Sequence, residues 1–200
     1  AAFAFSRIKF PGREVIFTLF LATMMIPGEM MVITNYITVT KTAKNVAKTL
    51  FGIKNFTGVD SYWALIVPFL ISVYYIYLLR QNFKQIPDEL YYAAKVDGTS
   101  DFKYLIKIMI PIAMPTIITI TILKLMGSWN AYVWPEMITR KQEMKLISNG
   151  LRTSFNDSSG RTNQGYQMAA AFAVTMPLLI AFIFLRKYLM RGVSRSGIKG

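Results

Sequence analysis

The sequence predicts an all-α fold, a polytopic membrane helix bundle, and three observations carry that prediction. Of the 200 residues 54% are hydrophobic and only 16% are charged, with a mean hydropathy of +0.37. Four stretches approach the length of about 20 mostly apolar residues that a helix needs to cross a bilayer's hydrocarbon, at a rise of about 1.5 Å per residue. Between the second and third of them lies a polar segment, 80–111, with helix punctuation of its own.

The same composition excludes several functions. The net charge of +13 is spread between apolar segments, with no dense basic block or aromatic-interleaved stripe, so nucleic acid is not an expected partner. With no Cys and no His the chain has no thiol nucleophile, no imidazole acid or base, no disulfide and no Cys/His metal site. No GxxxxGK[ST] loop occurs, so energy from ATP has to come from a partner. No catalytic residue and no cofactor is expected.

In chain order, Ala1–Phe5 reads as the tail of a truncated span, without the charged start and apolar core of a secretory signal. Residues 15–36 form the first full span, apolar apart from Glu29. Residues 62–79 carry no charge, 112–134 carry only Lys124, and 165–185 again carry none. Four such spans leave too little polar surface for a soluble domain, and the whole of 1–200 is expected to be one membrane domain. Placing residues 6–14, 80–111 and 186–200 in the cytoplasm gives that side the larger share of Lys and Arg. Asp60 and Asp157 then lie outside, and Lys95 and Gly200 inside.

The loop 80–111 is where function is expected. Pro87, Asp88 and Glu89 suit the first turn and positive dipole end of a helix, predicted over 88–96. Asp97-Gly98-Thr99-Ser100 supplies a turn and a hydroxyl cap for a second helix, expected to continue to Ile110 before Pro111 and Pro115. The product is a helix-turn-helix elbow at one membrane face. Ala93 and Ala94 would let another protein come close, and Tyr91 and Tyr92 would anchor it.

These residues resemble a known family. Tyr92-Ala93-Ala94-Lys95-Val96-Asp97-Gly98, nine residues, then Ile108-Met109-Ile110-Pro111 is similar to the EAA loop of bacterial ABC-importer permeases: EAA, three residues, G, nine residues, I-x-LP. Tyr92 stands where the family has Glu, and Ile110 where it has Leu. Glu89, one turn earlier, lies on a nearby helix face. Phe10-Pro11-Gly12-Arg13, Gly127-Ser128-Trp129-Asn130 with Trp134-Pro135, and the ending from Arg191-Gly192 to Ser196–Gly200 extend the likeness toward the carbohydrate-uptake branch, the maltose and glycerol-phosphate permease subunits.

The resemblance implies the type I ABC-importer permease fold, with the first span and most of the second missing here. It implies a multi-pass subunit of the bacterial plasma membrane that works with a second permease subunit, two cytoplasmic ATPase subunits and an extracytoplasmic sugar-binding protein. Glu89, Tyr92, Ala93, Ala94, Asp97, Gly98, Thr99 and Ser100 would form the cytoplasmic coupling helix that meets the ATPase, with Gly98 permitting its sharp reversal. Glu29, Lys124, Trp129, Asn130 and Tyr132 are candidates for the translocation path, since intramembrane charges generally face a bundle interior. Snorkelling of Lys124 and an interfacial aromatic belt explain the same residues without a solute. The alternatives are an ABC permease for another solute and an ion-coupled secondary transporter, which would show inverted repeats and buried acids. A membrane enzyme lacks any nucleophile and base pair.

Overall fold

The computed structural model describes residues 1–42, Asn45, 58–153 and 164–194, and among these every regular element is helical. Asp157, Gly200 and the Ser196–Gly200 ending lie outside the described residues. Two compact units are formed. The first takes in Ala1–Met25, Ser72–Lys124 and the end of the last helix from Phe184, and the second takes in the described residues of Ile26–Ile71 and Leu125–Ile183.

The first unit contains α1 (Ala2–Arg7) and α2 (Arg13–Thr23), then α5 (Val73–Lys84), α6 (Asp88–Val96), α7 (Asp101–Tyr104) and the start of α8 (Ile110–Trp129). Its core is Ala2, Phe83, Ile86, Ala94, Tyr104, Met109 and Ala113, with Phe3, Tyr91 and Ile108 packed around it. A second aromatic group joins Phe5 to Phe10, Phe17 and Phe20. The second unit contains α3 (Met31–Ile37), α4 (Tyr62–Ile66), α9 (Val133–Ile138), α10 (Ile147–Thr153) and most of α11 (Gln164–Ser194). Its core is Ala64, Trp134 and Ile138.

Asp101–Trp129 and Gln164–Phe184 are each long and apolar enough to cross a membrane. The expected spans 15–36 and 62–79 are instead pairs of helices, Arg13–Thr23 with Gly28–Lys41 and Tyr62–Phe69 with Val73–Lys84, which meet that test only when joined. Pro27 accounts for the first interruption, since the residue before a proline is disfavoured in the α region and its own amide cannot donate, whereas at the second Val67 keeps α geometry before Pro68 and the chain leaves the helix only at Leu70–Ser72. Ile26 precedes Pro27, and Pro68 sits in a 3₁₀ turn, Val67–Phe69. The missing donor of Pro68 would strand the carbonyl of Ala64 four residues earlier, and the indole of the buried Trp134 donates to that oxygen at 3.0 Å. Only 17% and 0% of the two apolar windows are buried by the described residues, an exposed apolar surface that suits lipid.

The opposite correction applies at Pro111. A helix ending at Ile110 was expected, but helix runs from Asp101 through Pro111 and Pro115 to Trp129. Residues Leu105–Met109 form a π-helical turn, with the Ile110 amide donating to Leu105, which widens the backbone just where the proline ring would collide with the preceding turn. The span expected to reach Trp134 ends at Trp129, and α9 follows separately.

Loops of the second unit are pinned by side chains. Asp60, at φ 54°, accepts the amides of Arg140 at 2.6 Å and Lys141 at 2.9 Å, while its own amide donates to Ile138. Fully buried Asn149 donates to the Tyr132 carbonyl at 3.1 Å and to Glu136 at 2.7 Å. The Lys141 amide, then that of Arg140, holds the Asp60 carboxyl below its ordinary value. A depressed carboxylate contributes stability above its unfolded pKa that is lost as pH falls through the folded one. Amide exchange at 140 and 141, corrected for intrinsic rate, should therefore quicken selectively as pH falls below the ordinary aspartate range. Asp60→Asn should show the fast rate already at neutral pH.

Candidate functional site

The elbow is built from local signals that act as expected. Helix α6 starts at Asp88, directly after Pro87, and places Asp88 and Glu89 in its first turn and Lys95 in its last. It ends in a Schellman motif: Gly98, at φ 70°, donates its amide to Lys95 at 3.0 Å, and Thr99 donates to Ala94 at 2.8 Å. Both bonds satisfy carbonyls that a helix end leaves without partners. The Ser100 hydroxyl then caps α7 by accepting the amide of Lys103 at 3.4 Å.

Across the turn the two helices are tied by Asp101, a residue with no distinguishing mark in the sequence except its place next to a cap. Its carboxylate accepts from the Tyr91 hydroxyl at 2.7 Å and pairs with Lys95 at 2.9 Å. The Asp101 bond holds the Lys95 ammonium above its ordinary value, and burial, then the bond to Asp101, pushes the Tyr91 phenol up. Tyr91 also stacks edge-on against Tyr104 at 5.1 Å.

This packing sorts the expected site residues. Glu89, Tyr92, Ala93 and Val96, spaced i, i+3, i+4 and i+7, are all exposed and share one helix face. Val96 is 89% exposed, and Phe102 beyond the turn is exposed as well. Asp97, Gly98 and Ser100 are exposed and Thr99 is half-buried at the tip. Ala94 and Tyr91 point the other way. Ala94 belongs to the chain's own core, so of the two alanines only Ala93 is exposed, and of the two tyrosines Tyr92 is the exposed one.

Beneath the elbow lie two buried arginines that sequence reasoning passed over, because their partners are far away in the chain. Arg7 donates to the carbonyls of Phe83, at 2.9 Å, and Ile86, and pairs with Asp88. Arg80, 3% exposed, donates from Nε to the Phe5 carbonyl at 3.0 Å and from Nη2 to Glu14 at 2.7 and 2.9 Å, and its guanidinium lies 3.9 Å from the centre of the Phe17 ring.

The candidates for a path are dispersed among structural tasks. Glu29 is exposed in the 3₁₀ turn after Pro27, and Lys124 is half-buried on α8. Half-buried Trp129 donates to the Val174 carbonyl at 3.2 Å, in the turn before Pro177 of α11. Asn130 donates back to Met126 of its own helix at 3.0 Å, and the carbonyl of Tyr132 serves Asn149.

Residues 1–195 match a protein family described as the binding-protein-dependent transport system inner membrane component. The arabinooligosaccharides transport system permease protein AraQ of Bacillus subtilis (strain 168) is 31% identical over 96% of this chain and 62% of its own length. The sn-glycerol-3-phosphate transport system permease protein UgpE of Yersinia pestis is 27% identical over 98% of this chain and 65% of its own. A crystal structure of a bacterial ABC transporter involved in the import of the acidic polysaccharide alginate matches with a TM-score of 0.74 at 23% identity, over 94% of this chain and 65% of that one. This last likeness is one of fold. The chain spans just under two thirds of the length of these relatives.

Proposed function

Because the chain belongs to the family of binding-protein-dependent transport system inner membrane components, we propose that it is a permease subunit of an ATP-driven carbohydrate importer, coupled to its ATPase through the 88–100 elbow. Family and relatives are transport-system permeases, which are not enzymes. In this reading it sits as a multi-pass protein in the bacterial plasma membrane beside a second permease, with two ATPase subunits below and a binding protein that delivers sugar from outside. The observation that carries it is the outward face of the elbow. Tyr92, Ala93, Val96 and Phe102 put apolar surface and one close-approach position on a rigid, twice-capped turn, which suits docking into a groove of another protein. The sugar class rests on the relatives, which are named for arabinooligosaccharides and glycerol phosphate. Family membership removes the support for an ion-coupled transporter, and an ABC permease for another solute stays the rival.

The test uses the full-length permease in proteoliposomes. Alone it should move no arabinooligosaccharide, with or without ATP, and flux should appear only with the second permease, the ATPase subunits and the binding protein. Gradient-driven uptake by the permease alone would contradict the reading. In intact cells an impermeant thiol reagent should reach a cysteine placed at Asp60 and spare one placed at Lys95, a clean comparison because this sequence contains no cysteine. Labelling at 95 from outside would reverse the topology.

A further inference from the structure

We propose that Arg7 is a positioning residue that locks the coupling elbow to the helices above it, so that α1, α5 and α6 move as one body when the elbow is displaced. The inference rests on the coupling role given to the elbow, and adds the part that keeps a displacement from being lost. Helices α5 and α6 are separated only by Gln85, Ile86 and Pro87, a joint that could flex at each of its backbone dihedrals. One side of the joint opens into a cleft of about 510 Å³, lined by Arg7, Lys84, Asp88 and Tyr92 among others, so packing does not brace it there. Ile86 of the joint packs in the core with Phe83 and Ala94, and the polar brace beside that packing is a single guanidinium. It donates to the carbonyls of Phe83, in the last turn of α5, and Ile86, within the joint, and pairs with Asp88, the first residue of the elbow helix.

Chemistry favours arginine for this task. A planar fork fixes the angle between groups that it bonds simultaneously, whereas the point charge of a lysine does not. Holding the joint by bulk alone would be cheaper with an apolar side chain, because burying a charge carries a desolvation penalty that good geometry has to repay. Arg7 is the last residue of α1, so the fork also brings that helix into the joint. Arg80 extends the lock from α5 by holding the Phe5 carbonyl of α1 and Glu14 of α2.

The test places spin labels at Lys9 and Leu90, both exposed and both outside the docking face, in the full-length permease assembled with its second permease and ATPase subunits. The wild type should give one narrow distance distribution that keeps its width between nucleotide-free and nucleotide-trapped states. Arg7→Gln and Arg7→Lys should each broaden it roughly twofold, since both lose the fork and leave the joint to core packing and its own backbone. Asp88→Asn, nearly isosteric at a side chain that is 64% exposed, should broaden it less, and should raise the ATP hydrolysed per solute imported while the ATPase stays bound. Should Arg7→Gln fail to assemble, Asp88→Asn decides. An unchanged distribution and unchanged ATP per solute in Asp88→Asn overturn the inference and leave the coupling role standing. Failure of the wild-type permease to retain the ATPase subunits removes the coupling role itself, and the inference with it.

Discussion

Replacing Gly98 with valine is expected to abolish most uptake by the assembled transporter while leaving membrane insertion intact. The residue sits at φ 70°, and no atom lies within 4 Å of where a Cβ would stand, so the penalty is conformational and not steric crowding by neighbours. Left-handed backbone costs an ordinary residue about 1–2 kcal/mol, and a β-branched one more. Relieving that strain means giving up the Gly98 and Thr99 amide bonds to Lys95 and Ala94, and with them the direction in which the second helix leaves the turn. Uptake should fall by about tenfold or more, as when a positioning element shifts by an ångström or so, with ATP hydrolysis continuing unproductively. Gly98→Asn is the control, because asparagine visits left-handed backbone more readily, and it should retain much of the activity. Normal uptake by an assembled Gly98→Val transporter would show that the turn has no part in coupling.

The second large effect is expected at Tyr104, fully buried at the point where α1, α6 and α7 meet. Its ring lies 5.1 Å from Tyr91 and 6.4 Å from Phe3. Tyr104→Ala should cost about 3–5 kcal/mol, the usual range for emptying a large aromatic site. The hydroxyl, however, has no hydrogen-bond partner among the described residues. A buried polar group left unpaired is a liability of about 1–3 kcal/mol, so Tyr104→Phe should be neutral or stabilising. Thermal unfolding in detergent should place the two variants on opposite sides of the wild type or nearly so. A loss in Tyr104→Phe comparable to that in Tyr104→Ala would mean that the hydroxyl is satisfied in the assembled protein.

How much of this was legible in the sequence follows from the range of the interactions. The elbow was readable almost residue by residue, because Pro87, Asp88, Gly98 and Ser100 act on backbone groups within a few positions of themselves. The spans were readable as apolar stretches but not as helices. Hydropathy counts side chains and ignores backbone geometry, so the interruptions before Gly28 and after Phe69 were invisible to it. Pro111 and Pro115 misled in the other direction, since nothing local announces a widened turn that accommodates them. The ties made by Arg7, Arg80 and Asp60 reach across about 65 to 80 intervening residues, and composition alone pairs none of them. Trp134 shows the ambiguity most directly: an aromatic that suits an interfacial belt turns out to complete the hydrogen bonding of another helix.

The widened turn at Leu105–Met109 also gives a mechanical sense to the nine residues between Gly98 and Ile108. Each residue of a helix turns the chain by about 100° and advances it by about 1.5 Å. A π turn stores one residue beyond the α-helical count, so it sets the clocking of everything on its amino-terminal side against the spanning helix beyond it. Deleting one residue there would let the turn close to an ordinary α turn with the elbow's bearing kept, whereas adding one, with the π turn already holding its surplus, would rotate the elbow by about a quarter of a revolution and carry Val96 and Tyr92 to a different compass bearing. Length in this segment is therefore a phase and not a tether, and a longer spacer of the same composition would aim an intact elbow at the wrong place.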